Sequence, residues 1–334
     1  MTVVVTGATG HVGANVCRGL LGRGLSVRAL HRSNTAPLAG LDLERREGDV
    51  LDPASLDAAF LGARAVIHLA ARISIDGDPD GSVWRTNVEG PRNVVDACMR
   101  AGVERLVHVS SFHAFRQDPI DRPLTEERSR VGADGYVYDR SKAAGEREID
   151  RGVAAGLEAV ILNPTGIIGP FDFGPSLMGS AILDMYHGRM PALVPGGSDW
   201  VDVRDVAGAA IAALGRGDAG DRHLLSGGWT SLRDLAALVS RAAGRRPPRA
   251  TVPGLVLRAG LPLVRIAARA GGVSPVYTRQ SLDALTRSSR DVRHDRASRT
   301  LDFAPRPLEE TLADALEWYG SVGMLRASNE SRRS

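Results

Sequence analysis

Cysteine is nearly absent from this 334-residue chain, with only Cys17 and Cys98 present. Both fall in apolar-patterned segments without a metal-ligand spacing, which excludes a disulfide framework and points to reduced thiols in a core. The eight histidines form no H-x-x-x-H or H-E-x-x-H pattern, so no metal site is expected. A charge excess is lacking too: 42 basic against 39 acidic residues leave a net charge of +3. The nearest basic clusters, GRRPPR at 244–249 and the stretch from Arg287 to Arg299, are interrupted by loop formers or acids. No nucleic-acid partner is expected from such a pattern.

Long uninterrupted apolar runs are also missing. The most apolar late segment, 252–272, is broken by Pro262 and by Arg258, Arg265 and Arg269. It cannot span a membrane, and its few arginines at helical spacing favour an amphipathic segment covering a pocket over one lying on a membrane surface. The opening MTVVVTGATG starts a strand at once, with no charged leader before an apolar stretch, so the expected compartment is cytoplasmic. No internal repeat is visible.

What is present, at 43% hydrophobic content, is enough apolar material for a sizeable core. In the first half, β-branched runs alternate with amphipathic helices: TVVVT (2–6), SVRAL (26–30), AVIHLA (65–70), RLVHVSS (105–111) and EAVILN (158–163). Continuously apolar strands separated by helices predict a parallel sheet covered on both faces, a Rossmann-type doubly wound α/β fold. After LNPTGIIGP (162–170) the texture becomes Pro- and Gly-punctuated, with short helices expected around 176–188 and 231–243. Between them, WVDVRDVAGAAIAAL (200–214) reads as a strand and helix returning to the main sheet. The expected organisation is a dinucleotide-binding domain over 1–165 and 198–226, a smaller discontinuous substrate lobe over 166–197 and 227–325, and a frayed tail over 326–334. A last helix is predicted at 307–319, begun by Pro307 and acids.

VVVTGATGHVGANV joins the first strand to the first helix with Gly7, Gly10 and Gly13 three residues apart. Glycines there let backbone approach a pyrophosphate, and the helix N-terminus offers N–H groups and the positive dipole end. The alternative is a tight turn without a ligand; the strand-turn-helix context favours the nucleotide. After the second strand an acid would accept from a ribose 2′-hydroxyl, whereas a 2′-phosphate needs a cation. The sequence there is SVRALHRSN, without an acid and with Arg32 in place, which favours NADP(H) over NAD(H). Asp49 and Val50 in EGDVLD are candidates for holding the adenine, and Ala70 and Ala71 for a close pass of the cofactor over the backbone.

GYVYDRSKAAGE (135–146) places Tyr138 and Lys142 four residues apart, hence adjacent on one helix face, while Tyr136 has Arg140 at that offset. A cation near a phenol favours phenolate and lowers its pKa from ~10, which would tune a proton donor. In isolation the pair is also compatible with a solvated helix face.

Taken together, TGATGHVG, GDV at 48–50, HLAA at 68–71, NVEGPRNVVDA at 87–97, VSS at 109–111, Tyr138-x-x-x-Lys142, NPTGIIGP at 163–170 and DVRDVA at 202–207 resemble the extended short-chain dehydrogenase/reductase family, in register over nearly the whole chain. Arg32 and the apolar segment make the chain look most like its dihydroflavonol-reductase-like and 3β-hydroxysteroid-dehydrogenase-like members. Phe112 and His113 depart from the small or hydroxyl residues many relatives carry after the serine, and Pro91 stands where Thr is common.

The resemblance implies an NAD(P)-dependent oxidoreductase in which Tyr138 delivers the proton, Lys142 assists the phenol and holds the nicotinamide ribose, and Ser111 hydrogen-bonds the substrate oxygen. It implies cofactor contacts from Gly7, Ala8, Thr9, Gly10, His11, Val12, Gly13, Arg32, Asp49, Val50, Leu69, Ala70, Ala71, Asn87, Val109, Ser110, Pro164 and Thr165. Asn87 and Ser110 also admit purely structural hydrogen bonds. Phe112, His113, Asn163, Phe171 and Tyr186 are candidate substrate contacts, and Tyr136 a pocket or surface residue. Relatives often dimerise through the helix bearing the tyrosine, so a homodimer is among the expectations. The leading expectation is an NADPH-dependent reductase of a fairly apolar ketone or aldehyde. Against it stand a nucleotide-sugar epimerase or dehydratase with tightly held NAD, which would need Arg189, Arg204 and Arg265 for a diphosphate, and a non-catalytic dinucleotide-binding protein.

Overall fold

The computed structural model describes residues 1–190, 192–248, 250–252 and 278–326. The apolar segment expected at 252–272 lies, beyond Val252, outside them, as do Arg265 and the tail after Arg326.

Seven strands form one all-parallel sheet: β1 (Thr2–Thr6), β2 (Ser26–His31), β3 (Glu44–Glu47), β4 (Ala65–His68), β5 (Arg105–Val109), β6 (Ala159–Pro164) and β10 (Arg222–Leu225). Their spatial order is β10-β6-β5-β4-β1-β2-β3. The chain therefore winds outward from β1 through β2 to β3, then crosses back to β4 and continues the other way. The crevice between the carboxyl ends of β1 and β4 is the switch point at which such sheets bind ligands.

Alternation along the strands splits the core into two layers. Val3 and Val5 of β1, Val107 of β5 and Val160 and Leu162 of β6 join one cluster with helices α1 (His11–Leu21) and α7 (Val203–Ala212). Val4, Leu106, Ala159 and Ile161 face the other side. There they meet α2 (Pro53–Phe60), α4 (Gly90–Ala101) and α5 (Val137–Ala154). A short helix α3 (Ser82–Trp84) leads into α4 through a π-helical turn, Arg85–Glu89.

A second core gathers β7 (Gly166–Ile168), α6 (Leu177–His187), β8 (Ala192–Leu193), β9 (Gly197–Asp202), β11 (Trp229–Ser231), α8 (Leu232–Ala242) and the last helix, Leu308–Ser321, around Ile168, Ile182, Trp200, Leu235, Leu312 and Tyr319. The strand β9 differs from the sequence reading. It pairs with β7 and β11 in a three-stranded sheet, and the strand that extends the main sheet is β10, beside β6. Only the helix that follows β9, α7, packs back onto the main sheet. Strand β3 was not anticipated either: its sequence is ERRE, an edge strand without apolar alternation, tied to β2 by Arg28 Nε on Glu44 Oε2 at 2.7 Å.

Candidate active site

The glycine turn sits at the switch point. Gly7 has φ +66°, and a Cβ there would lie 2.7 Å from Ala70 N, so only glycine lets the end of β4 come this close. A Cβ on Gly13 would lie 2.2 Å from Gly7 O, and one on Gly10 3.3 Å from the same oxygen. Gly10 is the N-cap of α1, and no acid occupies the helix's first turn. A backbone cradle of this kind, which any side chain would fill, fits a dinucleotide pyrophosphate.

Around the cradle, Ala8 is fully buried, Thr9 and Val12 are half-buried, and the His11 side chain turns away from the turn. His11 Nε2 and Asn15 Nδ2 both meet Pro170 O at 3.1 Å, clamping the loop after β7 onto α1. Burial lowers the His11 pKa, against Asp172. Arg32 follows β2 directly, its side chain 78% exposed and its Nη1 3.9 Å from Asp49 Oδ2. Leu69 and Ala70 continue β4 half-buried, Ala71 is exposed and Val50 is buried. Asn87, in the π turn, is fully committed within the protein: Nδ2 donates to Arg72 O and Ser141 Oγ, each at 2.9 Å, and Oδ1 accepts from Arg72 N at 2.8 Å. Its side chain ties the loop after β4 to α5, the structural alternative left open by the sequence.

The reacting end lies past the carboxyl ends of β5 and β6. Ser111 is the N-cap of a single 3-10 turn, Phe112–Ala114, and its Oγ accepts from His113 N at 3.2 Å. The phenol of Tyr138, in the first turn of α5, lies near enough for this hydroxyl to lower its pKa. One turn on, Lys142 is 4% exposed, and its Nζ donates to Val109 O at 3.2 Å. Beneath it, His68 and His108 face each other across β4 and β5 with ring centroids 5.1 Å apart. Both are held neutral by burial, His68 at a pKa of about 3, and His68 Nδ1 shares a hydrogen with Thr6 Oγ1 at 2.7 Å.

The electrostatics correct one expectation. Lys142 was expected to pull the Tyr138 pKa down; in the protein alone burial outweighs every other influence and pushes it up to about 12, with the Ser111 hydrogen bond lowering it and Asp139 raising it. Burial conversely lowers the Lys142 ammonium to about 8, opposed by Glu146. The phenol is thus fully protonated at neutral pH, while burial brings the amine down towards it.

Two candidate substrate contacts are also corrected. Asn163 is 0% exposed, with Nδ2 donating to Ser111 O at 3.0 Å and to Glu146 Oε1 at 2.6 Å, so its amide braces the serine from behind. Phe112 turns into a small core with Phe115, Leu124, Leu224 and Val292, because it follows Ser111 and points to the opposite side. His113 stays beside the phenol, its ring edge-on to Tyr138 at 6.2 Å and its Nδ1 3.5 Å from Asp139 Oδ1. Phe171, at φ +64°, lies under the Arg18 guanidinium at 4.4 Å and against Trp318. Tyr186 packs half-buried on the second core. Ser110 is buried, and its hydroxyl has no hydrogen-bond partner among the described residues. Pro164 ends β6, and Thr165 Oγ1 donates to the buried Asp199 at 2.7 Å. Tyr136 is the N-cap of α5, and its hydroxyl donates to Asp283 in the helix Arg279–Arg287.

Several features escaped the sequence reading. Glu146 continues the Tyr138, Lys142 face by another four residues and is fully buried with Arg130 Nε at 2.8 Å. Gly145 seats α5 on the π turn, where a Cβ would lie 2.3 Å from Asn87 O. Most telling, Lys142 is the single lysine of the chain, and every other one of the 42 basic residues is an arginine. A chain that uses arginine everywhere else and keeps one buried lysine beside a tyrosine marks a position that a planar guanidinium cannot fill.

The fold and the glycine turn define a dinucleotide-binding α/β protein with a tyrosine, a serine and a lysine gathered at the far end of the crevice. The chain belongs to the NAD dependent epimerase/dehydratase family, whose model matches residues 3–225, and so to the extended short-chain dehydrogenases/reductases. It is 37% identical over 331 residues to sterol demethylase protein B of Methylococcus capsulatus, covering 97% of this chain and all of that one. It is 29% identical over 263 residues to a dihydroflavonol 4-reductase of Zea mays, covering 71% of this chain and 73% of that one. Among solved structures, gox2253 superposes with a TM-score of 0.82 at 34% identity, covering 97% of this chain and 99% of the other. The protein is accordingly an NAD(P)-dependent oxidoreductase with a nicotinamide dinucleotide as cofactor and a small molecule as substrate. Among the described residues no helix is long and apolar enough to cross a membrane, and no cluster of His, Cys, Asp or Glu could hold a metal ion.

Proposed function

We propose that this chain reduces the carbonyl of a fairly apolar ketone or aldehyde with NADPH, and oxidises the corresponding alcohol in reverse. The observation that carries the reading is the placement of Ser111 beside Tyr138, with the chain's only lysine one helical turn along the same face. The bound cofactor supplies a hydride to the carbonyl carbon. Tyr138 gives its phenolic proton to the carbonyl oxygen as charge grows there, which a neutral phenol does and a phenolate cannot. Ser111 is positioned to donate to the same oxygen and so to stabilise that charge. Lys142, charged below about pH 8, stabilises the phenolate left behind.

The cradle of Gly7, Gly10 and Gly13 receives the pyrophosphate, and Arg32, exposed and with no acid at the end of β2, recognises a 2′-phosphate. The segments 166–197 and 227–325 form the substrate lobe. Relatives named for sterols and dihydroflavonols, both oxygen-bearing ring compounds, support a substrate of that size. The epimerase alternative is less well supported, because the two of its three candidate arginines that lie among the described residues are engaged: Arg189 with Asp184 at 2.8 Å, and Arg204 with Asp202 and Asp314 at 2.6 and 2.5 Å.

The test is a panel of apolar ketones and aldehydes with cofactor consumption followed, together with thermal stabilisation by NADPH against NADH. Folded Tyr138→Phe protein that binds NADPH and still reduces accepted substrates at the wild-type rate overturns the reading. Purified protein carrying a full complement of bound NAD would turn it towards the epimerase.

A further inference from the structure

Residues 138, 142 and 146 lie at successive four-residue steps and share one face of α5. The first two belong to the reaction proposed above. The third is a fully buried carboxylate, a placement with a large desolvation cost unless the charge has a task or partners. It has partners. Arg130 Nε lies 2.8 Å and Arg222 Nε 3.6 Å from Oε2, and Asp150 in turn holds both arginines, at 2.6 and 2.5 Å. The other oxygen, Oε1, accepts from Asn163 Nδ2 at 2.6 Å.

Asn163 uses its second amide hydrogen on Ser111 O at 3.0 Å. Both acceptors are oxygens, so the orientation of the amide is fixed: its nitrogen faces the serine and the carboxylate together. Glu146 is thereby connected to two members of the reacting set, Lys142 and Ser111, by different routes. One route runs along its own helix to the ammonium of Lys142, a turn away. The other crosses from α5 to β6 and then to the last residue before the 3-10 turn at the end of β5.

We propose that Glu146 and Asn163 are positioning residues of the reaction, the Glu146 carboxylate serving as countercharge to the single lysine and, through the Asn163 amide, as the anchor of the Ser111 main chain. The inference rests on the reductase reading for its kinetic consequences but not for its electrostatic one. Around Lys142 the other groups work against a charge: His68 on β4 and His108 on β5 are buried neutral rings without an acid beside them, and Tyr138 on the same helix is an uncharged phenol. The polar support is the Val109 carbonyl and the field of Glu146. Removing that negative charge leaves a buried ammonium with dipoles alone, and it gives up its proton at lower pH.

Because the chain has one lysine, protein made with 13C-lysine shows one lysine side-chain resonance, and its titration is read without assuming any activity. Glu146→Gln keeps the shape and an oxygen for Asn163 to donate to, while removing the charge. The expected result is a lysine midpoint lower by roughly half a pH unit or more, with the alkaline limb of carbonyl reduction moving down alongside it. Asn163→Ala is expected to leave the lysine midpoint in place and to lower kcat about tenfold with little change in KM, since the hydroxyl is misplaced and binding is not. An unmoved lysine midpoint in Glu146→Gln, or wild-type kcat in folded Asn163→Ala, overturns the proposal; if Asn163→Ala does not fold, the Glu146→Gln midpoint decides alone. Tyr138→Phe run in parallel separates the two readings: full activity there removes the proton-donor assignment, while the lysine titration still judges the Glu146 pairing.

Discussion

The Tyr136 hydroxyl donates to the Asp283 carboxylate, joining the N-cap of α5 to the helix Arg279–Arg287 across 147 positions of sequence. Its neighbour two residues on, Tyr138, belongs instead to Ser111. Two similar side chains on one turn thus have opposite assignments, one to the second lobe and one to the reaction. Tyr136→Phe is expected to lower stability by about 1 kcal/mol through loss of a charge-assisted hydrogen bond. It should raise KM more than it lowers kcat. Thermal melts and steady-state kinetics on the same preparation check both.

Tyr138→Phe is expected to behave in the reverse sense. The melt should be unchanged or slightly higher, while kcat falls by roughly 10²–10⁴-fold, the usual worth of a positioned general acid. NADPH binding, measured by fluorescence or thermal stabilisation, should persist.

The pH dependence follows from the lysine rather than the phenol. Reduction is expected to fail as pH rises through about 8, where Lys142 loses its proton, while Tyr138 at about 12 remains protonated across that range. A single descending limb in kcat against pH, absent from the fold's melting profile, is the observation to seek.

The same lysine predicts a trade of stability for function. Its folded pKa is lowered from 10.5 to about 8, which corresponds to a destabilisation on the order of 3 kcal/mol at pH values below 8. Between pH 8 and 10.5 the unfolded chain holds this proton more than the folded one does, so the wild type gains stability there as pH rises. Lys142→Met should therefore be more stable than wild type at pH 7, lose that advantage on approach to pH 10.5, and be inactive. Denaturant unfolding at a series of pH values tests the sign.

For the cofactor, the proposed reading expects Arg32→Ala to raise the KM for NADPH about tenfold or more and leave that for NADH nearly unchanged, because the guanidinium would contact only the additional phosphate. Asp49, 3.9 Å away, holds the arginine at the rim.

Local spacing made much of this molecule legible. Glycines at 7, 10 and 13 between a strand and a helix specify a turn whose geometry depends on few other residues, and Tyr138 and Lys142 share a face of α5 because a helix brings four-residue neighbours to one side. The buried strands were readable for the same reason. The edge strand β3 was not, since ERRE has no apolar face and owes its place to pairing with β2. Asn163 was read as a pocket residue because nothing in NPTGIIGP shows that its amide turns inward to Glu146 and Ser111, contacts separated by 17 and 52 positions. The phenol's pKa was misjudged because i,i+4 spacing conveys proximity of a charge and says nothing of the surrounding protein, and there burial prevails. The solitary lysine, by contrast, stands plainly in the sequence and was passed over.

Gly145 lets the middle of α5 rest backbone to backbone on Asn87, with no room for a methyl group between them. The helix that carries the tyrosine is therefore seated on the π turn before α4, and Tyr136 at its N-cap ties it to the helix Arg279–Arg287. On the proposed reading, substitutions in the substrate lobe that leave this seat untouched would not shift the phenol relative to the crevice, a division of labour that would let new substrates be explored while the proton's point of departure stays constant.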